Sequence, residues 1–321
     1  MFRLVVRRLL VSVVLIFVIS LLTFVLQALA PGDMAQTILR SGSTGGLGGG
    51  YSDEQYAELR QELGIDRPLL AQYGGWLAGA VGGDLGTSPI SGLDVRSAII
   101  SRLPVTMSLV VLGTIVTVIV GVGMGVASAV RGGRLGKLID VLALVGFAMP
   151  SFWLGLLLMS LFAVTLGVLP ATGYVPIDVS VGDWARSMIL PVSTLALSGI
   201  AVFAKQSRDS MLDALSRDYV QMLRANGASE SSVVLRHALR NAAIPVVTLA
   251  GLMFIGLFSG AVFIENVFSL PGVGRLLVQA TNQHDLPVVQ GVVVMLALVV
   301  VVINLGIDLL YGWLNPKVRV T

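Results

Sequence analysis

The chain contains no cysteine, which excludes disulfides, thiolate metal sites and cysteine nucleophiles together. Charge is scarce as well: Asp, Glu, Lys and Arg make up 12% of the 321 residues. Neither HExxH nor GxSxG occurs, and the two histidines, His237 and His284, fall on opposite sides of the membrane in the topology drawn below. Intramembrane hydrolysis is therefore a poor fit, and no catalytic or metal-ligating residue is assigned. The nearest approach to a phosphate-binding loop is Gly136-Lys137, but Arg131 stands where its first glycine belongs and Leu138 where its Ser/Thr belongs. The chain encodes no motor of its own by this reading, and its charge implies no nucleic-acid partner.

What the chain has is apolar surface. It is 55% hydrophobic with a mean hydropathy of +0.89, a composition that belongs in a lipid bilayer. With no disulfides, such a fold rests on helix packing. The 37 glycines suit that, because small residues let membrane helices approach closely where no hydrophobic effect operates between them.

Uncharged runs long enough to cross about 30 Å of hydrocarbon predict an all-α polytopic membrane protein with six transmembrane helices, at 9–30, 103–130, 141–167, 187–205, 241–264 and 286–310. The alternative for the first is a cleaved signal peptide, with Ala28-Leu29-Ala30 as a small-residue cleavage site; its apolar core is long for that role and Pro31 follows the cut. Residues 1–8 form a short basic N-terminus. Residues 31–102 are too polar for the bilayer and form a small external subdomain: Gly42 to Gly50 is Gly/Ser-rich, Ser52-Asp53-Glu54-Gln55 reads as a capping box opening a helix that stops at Gly64, and a second helix starts at Pro68 with Tyr73, Trp76, Leu77 and Ala80 suited to an interface. Loops at 131–140 and 206–240 and a tail at 311–321 lie on one side; 168–186 and 265–285 lie on the other.

Charge tests that topology. The two termini with the loops 131–140 and 206–240, counted with Lys205, hold fourteen Lys and Arg, and the opposite segments hold seven. Positive-inside places both termini in the cytoplasm. Twelve of the eighteen acids, among them Asp53, Glu54, Glu58 and Glu62, fall on the external side, where they keep a surface solvated.

An ion-coupled carrier would need an ionisable side chain near the midplane. None is apparent: Asp308 lies about 33 Å along a helix from Leu286, and Lys205 and Glu265 also come out at the membrane surfaces. Ser151, Thr194, Ser198, Ser259, Asn266 and Asn304 remain as polar candidates for a path or gate, although each also fits ordinary helix-helix hydrogen bonding.

One polar, basic island interrupts the apolar runs, DYVQMLRANGASESSVVLRHALRNAAIP from Asp218 to Pro245. Leu212, Leu215, Tyr219 and Met222 fall at helical spacing, and Asp213 with Arg217 is an i,i+4 pair. Gly227 suits a left-handed turn past a helix end, and Ser229 with Glu230 can open a second helix. The expected shape is helix, knuckle, helix.

This island resembles the coupling loop of ABC importer permeases, whose glycine is matched by Gly227 and whose later leucine by Leu239; Gln221, Met222 and Leu223 replace Glu-Ala-Ala, and the proline is delayed to Pro245. The delayed form resembles the dipeptide and oligopeptide permease branch. The likeness extends along nearly the whole chain: RRLL at 7–10, LAPGD at 29–33, LGIDRPL at 63–69, GDLG at 83–86, RLPVT at 102–106, MPSFW at 149–153, LPATGY at 169–174, ENVFSLPGVG at 265–274 and IDLLY at 307–311. It departs at Met34, at Leu93-Asp94-Val95 and in the glycine-rich insert, all external. The resemblance implies the type I importer permease fold and no enzymatic activity in this chain. It further implies a second homologous permease, cytoplasmic ATPases that bind ATP and Mg, an extracytoplasmic peptide-binding protein, and a peptide cargo. It also implies ATPase coupling through Tyr219, Arg224, Ala225, Gly227, Ala228 and Glu230. Other cargoes share this fold, including nickel, glutathione, haem and sugar; a secondary carrier, a channel and a scaffold without transport are the readings from other classes.

Overall fold

A computed structural model describes residues 2–42 and 51–314; most of the glycine-rich insert and the end of the basic tail lie outside the described residues. Thirteen α-helices appear among them: α1 Phe2–Leu29, α2 Met34–Gly42, α3 Asp53–Glu62, α4 Leu69–Val81, α5 Val95–Arg131, α6 Arg134–Ala148, α7 Ser151–Leu158, α8 Val181–Leu215, α9 Asp218–Ala225, α10 Glu230–Ser232, α11 Leu239–Val267, α12 Val273–Asn282 and α13 Leu286–Leu314. Two π-helical turns, Met159–Thr165 and Val233–Ala238, continue α7 and lead into α11. The β-structure among the described residues is a single bridge between Thr87 and Asp94. Five helical segments are long and apolar enough to cross a membrane: Val6–Leu29, Val95–Arg131, Val181–Leu215, Pro245–Val267 and Leu286–Ile307.

The helices run past the apolar stretches that announce them. Hydropathy marks hydrocarbon, whereas caps fix helix ends. Asp94 accepts from the Ser97 amide at 2.8 Å, so α5 starts eight residues before the run at 103; Ser180 accepts from the Asp183 amide at 3.2 Å and starts α8 six residues before 187. The third run, expected as one span over 141–167, is two helices. Proline disfavours the α conformation at Met149, and Pro150 itself is extended (φ −60°, ψ 132°), ending α6 and opening α7.

The chain forms two compact units. In the unit made of Met1–Pro104 and Arg275–Leu305, polar contacts join the spanning helices to one another and to the polar subdomain between α1 and α5. The Ser20 hydroxyl of α1 bonds the Tyr73 hydroxyl of α4 at 2.8 Å, and Tyr73 packs edge-on against Phe24, ring centroids 5.5 Å apart. Tyr73 is thus buried instead of lying at a lipid interface. Fully buried Gln290 of α13 donates to the Ser20 carbonyl at 3.2 Å. Asp33 organises the subdomain: one carboxylate oxygen caps α2 through the Gln36 amide, and the other accepts from Tyr56 at 2.6 Å and Arg60 at 3.1 Å. The capping box at Ser52 and Gln55 is formed, and the chain leaves α3 through Gly64 at φ +67°. The Ser88 hydroxyl donates to the buried carboxylate of Asp285, at the start of α13. Burial raises the Asp285 carboxyl above its ordinary value, against the hydrogen bonds that lower it.

The other unit, Val105–Gly274 with residues from Gly306, is built around α8. Its spanning part is largely buried, and α11, α6 and α7 pack on it. Glycines of α5 set a close approach. A Cβ at Gly121 would stand 2.5 Å from Phe203, and one at Gly125 would stand 2.5 Å from the Ala204 carbonyl oxygen and 2.9 Å from the Arg208 amide. Thr117 of α5 donates to the Ala196 carbonyl at 3.2 Å across the same seam. Gly125→Val should therefore cost more than about 2 kcal/mol and lower the thermal unfolding temperature in detergent. Gly123→Ala, where a Cβ meets nothing within 4 Å, should be neutral or stabilise by up to about 1 kcal/mol; equal melting of both variants would exclude this seam as the packing contact.

Candidate functional site

The polar island folds as a capped hinge. Helix α9 ends in a paired turn: the Gly227 amide donates to the Arg224 carbonyl at 3.0 Å, and the Ala228 amide to the Leu223 carbonyl at 3.0 Å. This pattern needs a left-handed residue between the bonds, and Gly227 supplies it at φ +78°. Across the turn, Arg224 Nη2 donates to Glu230 Oε1 at 2.6 Å and Arg224 Nε to Oε2 at 3.1 Å. The fork clamps the end of α9 to the start of α10. The hydrogen bond from Arg224 holds the Glu230 carboxyl below the usual carboxylate range.

Ser229 is extended at the entry to α10, but its side chain makes no cap and meets Ser231 instead. The helix then runs on through the π-helical Val233–Ala238 into α11, so the second arm of the knuckle and the fifth spanning helix are one piece. Tyr219 ties the first arm to that piece, accepting from Asn241 Nδ2 at 2.9 Å. Beneath them, Ala129 of α5, Met211 and Ala214 of α8, and Val234, Ala238 and Ala242 form one buried cluster. Three spanning helices thus converge at the root of the knuckle. Its tip is open: Met222, Arg224, Ala225, Gly227 and Glu230 are exposed, and Ala228 is half-buried. All six residues expected to couple lie on this one structure. What it offers chemically is an exposed, charge-clamped surface rooted in the buried cluster beneath it.

Four of the expected path residues bond within their own helices. Thr194, Ser198, Ser259 and Asn266 each donate to a carbonyl three or four residues back in their own helix, namely Leu190, Leu195, Ile255 and Val262. Ser151 is the first residue of α7 and Asn304 lies within α13, both half-buried. Gly136-Lys137, the near miss to a phosphate loop, lies inside α6 with Gly136 against the Arg208 guanidinium. Lys205 and Arg208 sit within 4 Å of Asp140 and Asp209, at 3.5 to 3.8 Å, a partly exposed ionic cluster between α6 and the last third of α8.

A second site joins the RLPVT and ENVFSLPGVG stretches. Glu265, expected as an interfacial group, is fully buried. It accepts from the Thr106 hydroxyl at 2.6 Å, and the same hydroxyl accepts from the Val273 amide at 2.9 Å. Gly272 and Gly274 close on the carboxylate so tightly that a Cβ at Gly272 would lie 2.1 Å from its carbon. RLPVT and ENVFSLPGVG are thus two halves of one clasp. The signal in the sequence is an acid ending an apolar run and followed within ten residues by Pro-Gly-x-Gly.

Two outcomes follow. Thr106→Val should cost about 2 to 4 kcal/mol, since it removes one hydrogen bond from a buried acid and one from a buried amide, whereas Ser259→Ala should change thermal stability by about 0.5 kcal/mol or less; matching values would contradict the clasp. Because the folded-state value of Glu230 is depressed, its pairing favours the folded knuckle above the ordinary carboxylate range and is lost as pH falls through that depressed value. Carboxyl-carbon NMR should show Glu230 titrating upward in Arg224→Gln; an unmoved titration would contradict the clamp.

The profile described as "Binding-protein-dependent transport system inner membrane component" matches residues 118–320, and that of the corresponding N-terminal component matches residues 1–110. A putative peptide transport system permease protein of Brucella abortus is 43% identical, with 99% of each chain covered. A glutathione transport system permease protein of Escherichia coli K12 is 39% identical over 99% of each chain. A probable peptide ABC transporter permease protein of Sinorhizobium fredii is 36% identical over 98% of each. Among solved structures, an inward-facing form of the MetNI methionine ABC transporter matches in fold with a TM-score of 0.55 at 16% identity, covering 65% of this chain and 93% of that one. With two family profiles across the chain and full-length relatives of this identity, the chain belongs to the inner membrane components of binding-protein-dependent transport systems, as a multi-pass permease.

Proposed function

We propose that this chain is the transmembrane permease subunit of an ATP-driven importer of di- and oligopeptides, working by alternating access. The observation that carries the reading is the exposed knuckle, clamped by Arg224 and Glu230 and rooted in the cluster where α5, α8 and α11 meet. A force applied at such a tip has a stiff route into the spans. The peptide cargo is supported by the relatives named as peptide permeases. Glutathione is the second reading, favoured by the Escherichia coli relative, and it is itself peptide-like.

The working unit in this proposal comprises a second homologous permease, cytoplasmic ABC ATPases holding ATP and Mg, and an extracytoplasmic peptide-binding protein. The basic residues of the knuckle and termini face the cytoplasm. ATP closes the ATPase pair, the knuckle moves as a unit through Tyr219, Arg224, Ala225, Gly227, Ala228 and Glu230, and the spans turn outward; hydrolysis resets them. Ser151 and Asn304 are proposed to supply a hydroxyl and an amide to the path, joined by Thr194, Ser198, Ser259 and Asn266 in states where their own-helix contacts yield.

Gly227→Val forces a branched side chain into a left-handed turn. It should reduce ATP-dependent peptide uptake by at least about tenfold, the equivalent of about 1.4 kcal/mol, with an unchanged amount of protein in the membrane. Uptake is measured in vesicles containing the complete importer. Lost insertion would count against the coupling role, and gradient-driven uptake by this chain without its ATPases would overturn the proposal.

A further inference from the structure

Along the outside of α5, next to the second arm of the knuckle, runs an apolar groove of about 720 Å³. Val118, Val122, Val126 and Val130 form one wall, and Val234 and Leu235 form part of the other. Its floor is unfilled at Gly123, where a Cβ would meet nothing within 4 Å. At the mouth stands Arg131, the last residue of α5, exposed and with no side-chain hydrogen bond or ion pair among the described residues. Arg134 and Lys137 follow within six residues, also exposed. The acid at the mouth, Glu230, is already engaged by Arg224, so it does not neutralise Arg131.

A groove made of hydrocarbon, open along a membrane span and ending in uncompensated positive charge, has the shape and polarity of one amphiphile. We propose that it holds an anionic phospholipid of the cytoplasmic leaflet, an acyl chain lying over Gly123 and the phosphate at Arg131. The proposal rests on the topology given above, because the leaflet follows from the side on which Arg131 emerges. Basic groups at a membrane edge attract anionic lipid, and their long side chains reach the headgroup level. Glu230, Ser231, Val234 and Leu235 belong to the knuckle, so movement of the second arm changes the groove. Lipid occupancy and knuckle position are therefore linked, and each biases the other.

The test uses the full-length chain in mild detergent, mixed with phosphatidylglycerol or phosphatidylcholine, with bound lipid counted by native mass spectrometry. Phosphatidylglycerol should be retained preferentially. Arg131→Gln should reduce that preference about fivefold, the effect of one basic group at an anionic surface. Gly123→Phe, which fills the floor, should remove retention of both lipids without lowering the thermal unfolding temperature. Equal retention of the two lipids, or retention unaffected by Gly123→Phe, would overturn the site. So would a cross-linker placed at Ile119 that captures a second protein chain and no lipid. Labelling of Lys137→Cys from outside intact cells would overturn the topology and the leaflet assignment; the detergent measurement, which has no sides, would still decide whether the site exists.

Discussion

The contact on which the larger unit depends is the close approach of α5 and α8. Between membrane helices the hydrophobic effect offers little, because lipid tails are as apolar as the side chains they would replace; attraction comes from dispersion at short range and from occasional hydrogen bonds. Both need backbones that nearly touch. Gly121 and Gly125 permit it, leaving no room for a methyl group against Phe203, Ala204 and Ser207, and Thr117 adds a hydroxyl-to-carbonyl bond. The seam brings the end of α5 beside that of α8, and the cluster of Ala129, Met211 and Ala214 with Val234, Ala238 and Ala242 forms there. The knuckle stands on that cluster. The packing of the spanning helices and the exposed knuckle are in this sense one construction.

Much of this is legible in the amino-acid order. Five of the long helices announce themselves by apolar runs, and the knuckle by Gly227 set among polar residues. The capping box at Ser52 and Gln55 and the pair Asp213 with Arg217 can be read directly because their partners lie within four residues. What stays hidden is of two kinds. Helix ends escape hydropathy, since Asp94 and Ser180 cap in polar sequence and let α5 and α8 begin before their apolar runs. The break at Pro150 is written in the sequence but is outweighed there by the apolarity on either side.

The second hidden kind is long-range. Thr106 and Glu265 are 159 positions apart, and nothing local marks a threonine as the partner of a distant acid. Gln290 and Ser20 are separated by 270 positions and read singly as ordinary polar residues in apolar runs. Thr194, Ser198, Ser259 and Asn266 present the opposite case. Their polarity marks them out, yet each satisfies itself within its own helix. In a medium without water a hydroxyl takes the nearest carbonyl, so polarity by itself does not distinguish a lining from a self-satisfied group.

The second arm of the knuckle and the fifth spanning helix, from Glu230 to Val267, are helical without interruption. At about 1.5 Å per residue that is a rod of up to about 57 Å, shortened wherever the π-helical stretch and Pro245 bend it. A swing of one degree about its Glu230 end would shift its Val267 end by about 1 Å, a hydrogen-bond-breaking distance on the scale of the 2.6 Å contact between Thr106 and Glu265. The rod therefore has its own gearing: a rotation too slight to disturb the packing near the pivot is large enough, at the far tip, to decide whether that contact is closed or open.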